Sequence, residues 1–421
     1  MDPRPIAPIR HALADAHVRV PASKSIANRE LVLAALASGR SRIDVGDIDP
    51  GQDVHLMADA LSALGHDVRW SDGRIEVVPR AVPYVHAEID AGDAGTVARF
   101  VTALAATTSA EVRIDGSARM RARPMAAVAQ ALRSLGASVE GDALPLTVHG
   151  PVAGGEVTVP AYESSQFASA LLLIAPRMER GLQLRLAGDI VSAPFLEMTA
   201  TALRRRGVKV GRPSSREFDV APGKVAHRDV VVPGDVTAAS YPAAAAALLS
   251  GSITIENANA RPEVGGQGDV RFFELIESMG CTVKRGAAST TVRRIGDLYG
   301  ITANVSDCSD VFPTLAVIAT QALTPTELGG LAHTRGQESD RLAAVASAIN
   351  SLGGHAESYG DAIRIVPVPL HQGTVDSQGD HRIAMAFSVL GLVVPGVAVA
   401  GAESVAKTFP SFYRMLDEMG R

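Results

Sequence analysis

Basic side chains at the starts of helices are the residues of this sequence that most need a chemical reason. Lys24, Ser25 and Arg29 open one apolar helical run, SKSIANRELVLAALASG, and His381 with Arg382 opens another, DHRIAMAFSVLGL. A cation there faces the positive end of the helix dipole, which disfavours it by roughly 0.3–1 kcal/mol. A bound anion reverses that sign, because it meets unpaired amide donors as well as the cation. Comparable openings carry Gly95 and Thr96 (AGTVARFVTALAA), Ser164, Ser165 and Gln166 (SSQFASALLLIAP), and Asp310 (SDVFPTLAVIATQAL). Seen singly, hydroxyls and carboxylates at such places are ordinary N-caps, and a lone basic residue is a solvated surface position. Repeated along one chain, the pattern points to a cleft that takes a small anion.

The elements that must position these residues repeat. One phrase recurs six times, as ALSALGHDV, ALRSLGASV, ALRRRGVKV, LIESMGCTV, AINSLGGHA and MLDEMG, with glycines at Gly65, Gly136, Gly207, Gly280, Gly353 and Gly420. The period is roughly 70 residues, and each glycine suits the left-handed position just past a helix C-terminus. A second family of helices, nearly wholly apolar after a polar start, interleaves with the first and is expected to be buried. It includes AASYPAAAAALLSG from Ala238. β-Branched runs such as ITIENA and IRIVPV alternate with both families. Six βα units, too long for a common solenoid, predict a large α/β protein in which three units close around each of two cores. The VRVPASKS segment and VPGDV at 232–236 read as strand-to-helix joints where the chain passes between them.

Composition sets the remaining bounds. With 421 residues, 47% hydrophobic and 20% charged, the chain is long enough for two packed domains and too apolar to be disordered. A net charge of −5 opposes nucleic-acid binding as a global property. Cys281 and Cys308 have no paired spacing and no accompanying histidine pattern, so neither a disulfide framework nor a zinc site is expected. The first twenty residues lack the apolar core of a signal peptide, which predicts a cytoplasmic protein. Two charge-free stretches, 236–255 and 383–402, approach membrane-spanning length. Pro242 and Gly251 are expected to interrupt the first, and Gly391, Pro395 and Gly396 the second.

The segments PASKSIANR, DAGTVARF, RMRARPM, SSQF, GDVTAASY, SDVF, RGQESDR, GDHRIAMAF and AKTFP closely resemble, in order and spacing, the motifs of the 5-enolpyruvylshikimate-3-phosphate synthase family, over essentially the entire chain. The resemblance implies a two-domain inside-out α/β barrel. One domain would join 1–20 to 234–421, the other would run over 21–233, and the active site would lie in the cleft between them. It further implies a monomeric transferase of the shikimate pathway that needs no cofactor and no metal, with phosphoenolpyruvate and shikimate 3-phosphate as its small-molecule partners.

Carried over motif by motif, Lys24, Arg123, Arg341, Arg382 and Lys407 resemble the donor-binding cations, with Gly95 and Gln166 completing that pocket. Ser25 and Arg29 resemble contacts to the acceptor carboxylate, and Ser164, Ser165 and Ser192 resemble the acceptor phosphate site. Asp310 resembles the residue held against the acceptor hydroxyl. Glu338 resembles the carboxylate that moves a proton to and from carbon, with Lys24 assisting. Read alone, Glu338, Asp340 and Arg341 would be a solvated helix face with exposed ion pairs.

Three residues on the acceptor side depart from the commonest pattern: Phe195 where tyrosine is frequent, His333 where asparagine is, and Gln337 where lysine is. They leave open another phosphorylated acceptor, such as UMP or a nucleotide sugar. The UDP-N-acetylglucosamine enzymes carry a reactive loop cysteine in the first half of the chain, whereas both cysteines here lie in the second half. A non-catalytic anion-binding relative is the alternative of another class, and acidic residues among the cations speak against it.

Overall fold

Apolar side chains recur on every face of one set of helices and on a single face of the other, and that difference sorts them into core and cover. A computed structural model describes residues 2–80, 86–261 and 266–420. Twelve longer helices follow in chain order: α1 (Lys24–Ala35), α2 (Gln52–Ala63), α3 (Gly95–Ala105), α4 (Ala126–Ser134), α5 (Ser165–Ile174), α6 (Ala193–Arg205), α7 (Val236–Leu249), α8 (Arg271–Ser278), α9 (Phe312–Ala319), α10 (Arg341–Ser351), α11 (His381–Gly391) and α12 (Phe412–Met419). The odd-numbered ones are the apolar family. Every residue of α3 and α11 is buried, and so is all of α7 up to Leu248.

The chain divides into two compact units, Met1–Pro21 with Pro233–Arg421, and Ala22–Val232. In Ala22–Val232, helices α1, α3 and α5 pack on one another; in the other unit α7, α9 and α11 do the same. Each unit has its own apolar core, which fits the rule that one core stops growing beyond about 250–300 residues.

Six sheets surround these helices, three in each unit. One shows the plan. His86–Asp90 runs parallel to Glu111–Asp115, which pairs antiparallel with Leu146–His149, and Ser138–Glu140 closes the edge. The parallel step is a crossover through a buried helix, and the antiparallel steps enclose an amphipathic one. Four other sheets have the same arrangement of one parallel and two antiparallel pairs, and in one of them Val230–Val231, from the end of its unit, supplies the strand parallel to Ser41–Asp44. The N-terminal residues complete two of the sheets in their unit. Leu13–Val18 runs parallel to Gly251–Ile255, and Arg4–Pro5 pairs antiparallel with Val397–Ala400.

Gly65, Gly136, Gly207, Gly280 and Gly353 have φ of +88°, +101°, +80°, +112° and +78°, the left-handed C′ position. Gly420 does not follow them: its φ is −82°, because it ends α12 in right-handed geometry. Pro242 does not interrupt its apolar stretch either, since α7 runs through it. Ser309 does not cap a helix. Ser309–Val311 is a 3₁₀ turn, and α9 begins at Phe312 with proline in its first turn. Among the described residues no helix is long and apolar enough to cross a membrane. Cys281 and Cys308 are buried and unpaired, and burial pushes the Cys281 thiol up to about 11.

Candidate active site

Within Ala22–Val232, a set of buried cations gathers where α1, α3, α5 and α6 start. Arg29 is 1% exposed on α1; its Nε donates to Thr199 Oγ1 at 2.8 Å, and Nη1 donates to the Ser25 carbonyl at 2.7 Å. Nη2 donates to Ser169 Oγ and to the Phe195 carbonyl, both at 3.3 Å. The Phe195 ring also stands 5.8 Å from the guanidinium, so the side chain that lacks tyrosine's hydroxyl supplies an aromatic face to the cation. Burial lowers the Arg29 pKa to about 9.

Gly95, Arg123 and Gln166 meet through Arg99, whose Nη1 donates to Gln166 Oε1 at 2.6 Å. A Cβ on Gly95 would stand 2.8 Å from Arg123 Nη2 and 2.9 Å from Arg99 Nη1, so glycine here makes room for two guanidiniums. Burial, then the neighbouring Arg123, hold Arg99 well below the usual arginine range. No carboxylate of the described residues lies within ion-pair distance of Arg29, Arg99 or Arg123. Arg29 and Arg99 are buried and Arg123 is half-buried beside them, and cations so placed call for an anionic ligand.

Lys24 reaches Asp53 Oδ2 at 3.1 Å, and Asn28 ties α1 to Thr96 at the start of α3 at 2.9 Å. Ser164 caps α5 through the amide of Gln166 at 3.1 Å. Ser165 is buried beside it. Ser192 precedes α6 at a φ of +52°, with its hydroxyl not used as a cap.

In the other unit the acids are interleaved with cations. Asp310 accepts from Arg341 Nη1 at 2.9 Å through one oxygen and from Arg382 Nη2 at 2.7 Å through the other. Arg341 also donates from Nε to Asp380 Oδ2 at 2.7 Å and from Nη1 to Gln337 Oε1. Asp380 caps α11 by accepting from the Arg382 amide at 2.9 Å, so one residue fixes both the helix start and the arginine facing it.

Glu338 is not on a solvated face. Its side chain is nearly buried, accepts from His381 Nδ1 at 2.8 Å, and lies 3.6 Å from Lys407 Nζ and 4.0 Å from Arg341 Nη2. Burial alone would raise this carboxyl, yet His381, Lys407 and Arg341 outweigh it and hold it well below the usual range. Burial lowers His381, so its imidazole is a neutral Nδ1–H donor and the two fixed cations keep Glu338 ionised. His333 bonds Ser309 Oγ through Nε2 at 2.8 Å, and burial lowers its pKa to about 4.

Among the described residues one potential metal-ligand set is present, since Glu338, Asp380 and His381 offer atoms within 4.8 Å of one another. Arg341 and Lys407 already neutralise these carboxylates, which is the charge a metal ion would meet.

The structure thus brings Ser25, Arg29 and Phe195 together, and likewise Gly95, Arg123 and Gln166, within one unit. In the other it joins Asp310, Gln337, Glu338, Arg341, Arg382 and Lys407. Arg99, Asp380 and Asp53 join these residues without being among those the motifs mark. Arg99 falls four residues after Gly95, on the same face of one helix, and that spacing is the signal for it. Asp53 lies in an amphipathic helix and carries no such sign.

Residues 10–416 match the model of the EPSP synthase (3-phosphoshikimate 1-carboxyvinyltransferase) family. A 3-phosphoshikimate 1-carboxyvinyltransferase of Methanoculleus marisnigri is 38% identical over 96% of both chains. One of Kocuria rhizophila is 40% identical over 98% of this chain and 96% of its own. The fold is similar to that of an EPSP synthase from Acinetobacter baumannii, with a TM-score of 0.80, 24% identity and coverage of 99% of this chain and 97% of the other. An enolpyruvyl transferase from Streptomyces tendae superposes with a TM-score of 0.73 at 18% identity, covering 100% of this chain and 98% of that one. With a family match across most of its length and relatives near 40% identity, the chain belongs to the EPSP synthase family.

Proposed function

We propose that this protein transfers the enolpyruvyl group of phosphoenolpyruvate to the 5-hydroxyl of shikimate 3-phosphate and releases phosphate. The observation that carries the reading is the cluster in which Asp310 and Glu338 stand among Arg341, Arg382 and Lys407. Simple anion binding has no use for carboxylates there, whereas addition followed by elimination needs a base and an acid. Family membership supports it further, and so do Arg29, Arg99 and Arg123, which have no carboxylate of the described residues within ion-pair distance.

In this reading Asp310 takes the proton of the attacking hydroxyl. Its oxygens are tied to Arg341 and Arg382, and anionic substrates that draw on those arginines release it for that work. Glu338 delivers a proton to the methylene carbon, the alcohol oxygen bonds to the adjacent carbon, and a tetrahedral adduct forms. Withdrawal of a proton from the new methyl group then expels phosphate and restores the double bond. His381, Lys407 and Arg341 hold Glu338 well below the usual carboxyl range, and the donor's negative charges, by balancing Lys407 and Arg341, raise its hold on a proton.

Lys24, Arg123, Arg341, Arg382 and Lys407, with Gly95 and Gln166, bind the donor. Ser25 and Arg29 take the acceptor carboxylate, while Ser164, Ser165 and Ser192 take its phosphate. His333 and Gln337 complete the acceptor side. The domains are 1–20 with 234–421, and 21–233, both serving one reaction, and the architecture is the inside-out α/β barrel of six units. Three sheets around three central helices in each unit support that description.

Phosphate release measured with phosphoenolpyruvate and each of shikimate 3-phosphate, UMP and UDP-N-acetylglucosamine tests the reading. Turnover is expected with the first acceptor only. Turnover with a nucleotide acceptor instead would assign the acceptor wrongly, and none with any would leave an anion-binding protein.

A further inference from the structure

Arg99 is buried among the ligand-binding residues of Ala22–Val232, and the proposed reaction gives it no part. It lies on α3 one turn after Gly95, is 2% exposed, and its guanidinium stands 5.1 Å from the centre of the Phe167 ring on α5. Nη1 donates to Gln166 Oε1 at 2.6 Å, and Nη2 donates at 3.0 Å to the carbonyl of Pro124, the residue after Arg123. Nε is buried with no hydrogen-bond partner among the described residues. One planar fork therefore grips the side chain of one donor-binding residue and the backbone beside another.

Packing does not call for an arginine at this place. Burying a guanidinium with one nitrogen unpartnered, and with no carboxylate of the described residues within ion-pair distance, costs stability that an apolar side chain of similar length would not. What the arginine does fix is the sense of an amide. Its nitrogens only donate, so the atom of Gln166 that meets Nη1 is the carbonyl oxygen, and the NH2 group is turned away from it. Gln166 is half-buried, and its Nε2 makes no hydrogen bond among the described residues. Two N–H donors are thus left for a ligand, and they suit an anion. With the amide reversed, a carbonyl oxygen would take their place and repel one.

We propose that Arg99 is a positioning residue for the reaction: it holds the Gln166 amide with Nε2 toward the anionic donor, and it anchors the Pro124 carbonyl next to Arg123. The inference rests on the functional reading above, in which Gln166 and Arg123 bind phosphoenolpyruvate. Arg99 acts through these two neighbours and touches no substrate itself.

The test is phosphate release at saturating shikimate 3-phosphate with phosphoenolpyruvate varied, for the unaltered chain, Arg99→Met, Gln166→Ala, the double variant and Gln166→Glu. Arg99→Met is expected to raise the donor KM about 10-fold, the loss of one hydrogen bond to a charged ligand, and to leave kcat within about threefold. Gln166→Ala should do the same, and in its background Arg99→Met should add no more than about threefold, because the effect runs through the amide. Gln166→Glu gives Arg99 a carboxylate and the donor no N–H. Its melting temperature should be equal or higher while its donor KM rises at least as far as that of Gln166→Ala, and it carries the test should Arg99→Met fail to fold. An unchanged donor KM in Arg99→Met or in Gln166→Glu overturns the positioning role alone. So does a rise of more than about threefold for Arg99→Met in the Gln166→Ala background, which would show the arginine acting by its own charge. An unaltered chain that releases no phosphate overturns the functional reading and this inference with it.

Discussion

At the scale of single residues, what distinguishes the acids is the charge around each. Glu338 is buried, but two fixed cations and a donating imidazole keep it ionised. Glutamine in its place keeps the shape and loses the proton. We expect Glu338→Gln to lower kcat by about 100-fold or more, with the donor KM within about threefold, as for a general acid that binds nothing by itself. Equal losses in rate and binding would contradict the role. Asp269 is the opposite case. Burial, then the charge of Asp310, raise its pKa from 3.8 to about 7. The native state therefore holds a proton that the unfolded chain has released, so this group's contribution is complete below pH 3.8 and is lost as the pH rises through about 7. Asp269→Asn lacks that dependence. Urea unfolding should find it more stable than the unaltered chain at pH 8 and no more stable at pH 4, and a difference that does not grow with pH would show that the carboxyl is not titrating there.

At the scale of elements, the repeated glycines separate a backbone requirement from a sequence habit. Gly207 has a φ of +80° and nothing within 4 Å of where a Cβ would stand, so Gly207→Ala tests the left-handed conformation alone. Gly420 has a φ of −82°, where alanine is at ease. Unfolding free energies should fall by about 1–2 kcal/mol for the first substitution and change by no more than about 0.5 kcal/mol for the second. Comparable losses at both would mean that the glycines are kept for packing. The same comparison shows what could be read in the sequence and what could not. A glycine after an amphipathic run marks a helix end, which is local chemistry, but the hand in which the chain leaves that helix is not, and Gly420 leaves α12 right-handed. Pro242 read as a breaker because its missing N–H and its ring are local facts, whereas the apolar packing around α7 that carries the helix through it is not. Asp380 was visible only as a residue before a helix. That it also grips Arg341, 39 residues earlier, depends on which helices become neighbours.

At the scale of the molecule, each of the two units holds cations whose arrangement is explained by a ligand, and they differ in how far the protein already balances them. In Ala22–Val232, Arg29, on the acceptor side, has no carboxylate of the described residues within ion-pair distance; in the other unit Arg341 and Arg382, on the donor side, are held by Asp310 and Asp380. An anion arriving at the first set gains at once from uncompensated charge, while one arriving at the second must first displace an internal carboxylate. The acceptor should therefore bind without help, and the donor more tightly once the acceptor has added its own groups to the site. Hydrogen exchange resolves this by segment. Shikimate 3-phosphate alone is expected to slow exchange at the starts of α1, α5 and α6 and to leave the start of α11 unchanged. Adding a non-reactive phosphonate mimic of the donor should then slow exchange at the start of α11 as well. Protection of α11 by the acceptor alone, or protection confined to one unit with both ligands present, would show that the two sets of charged residues do not serve the same reaction.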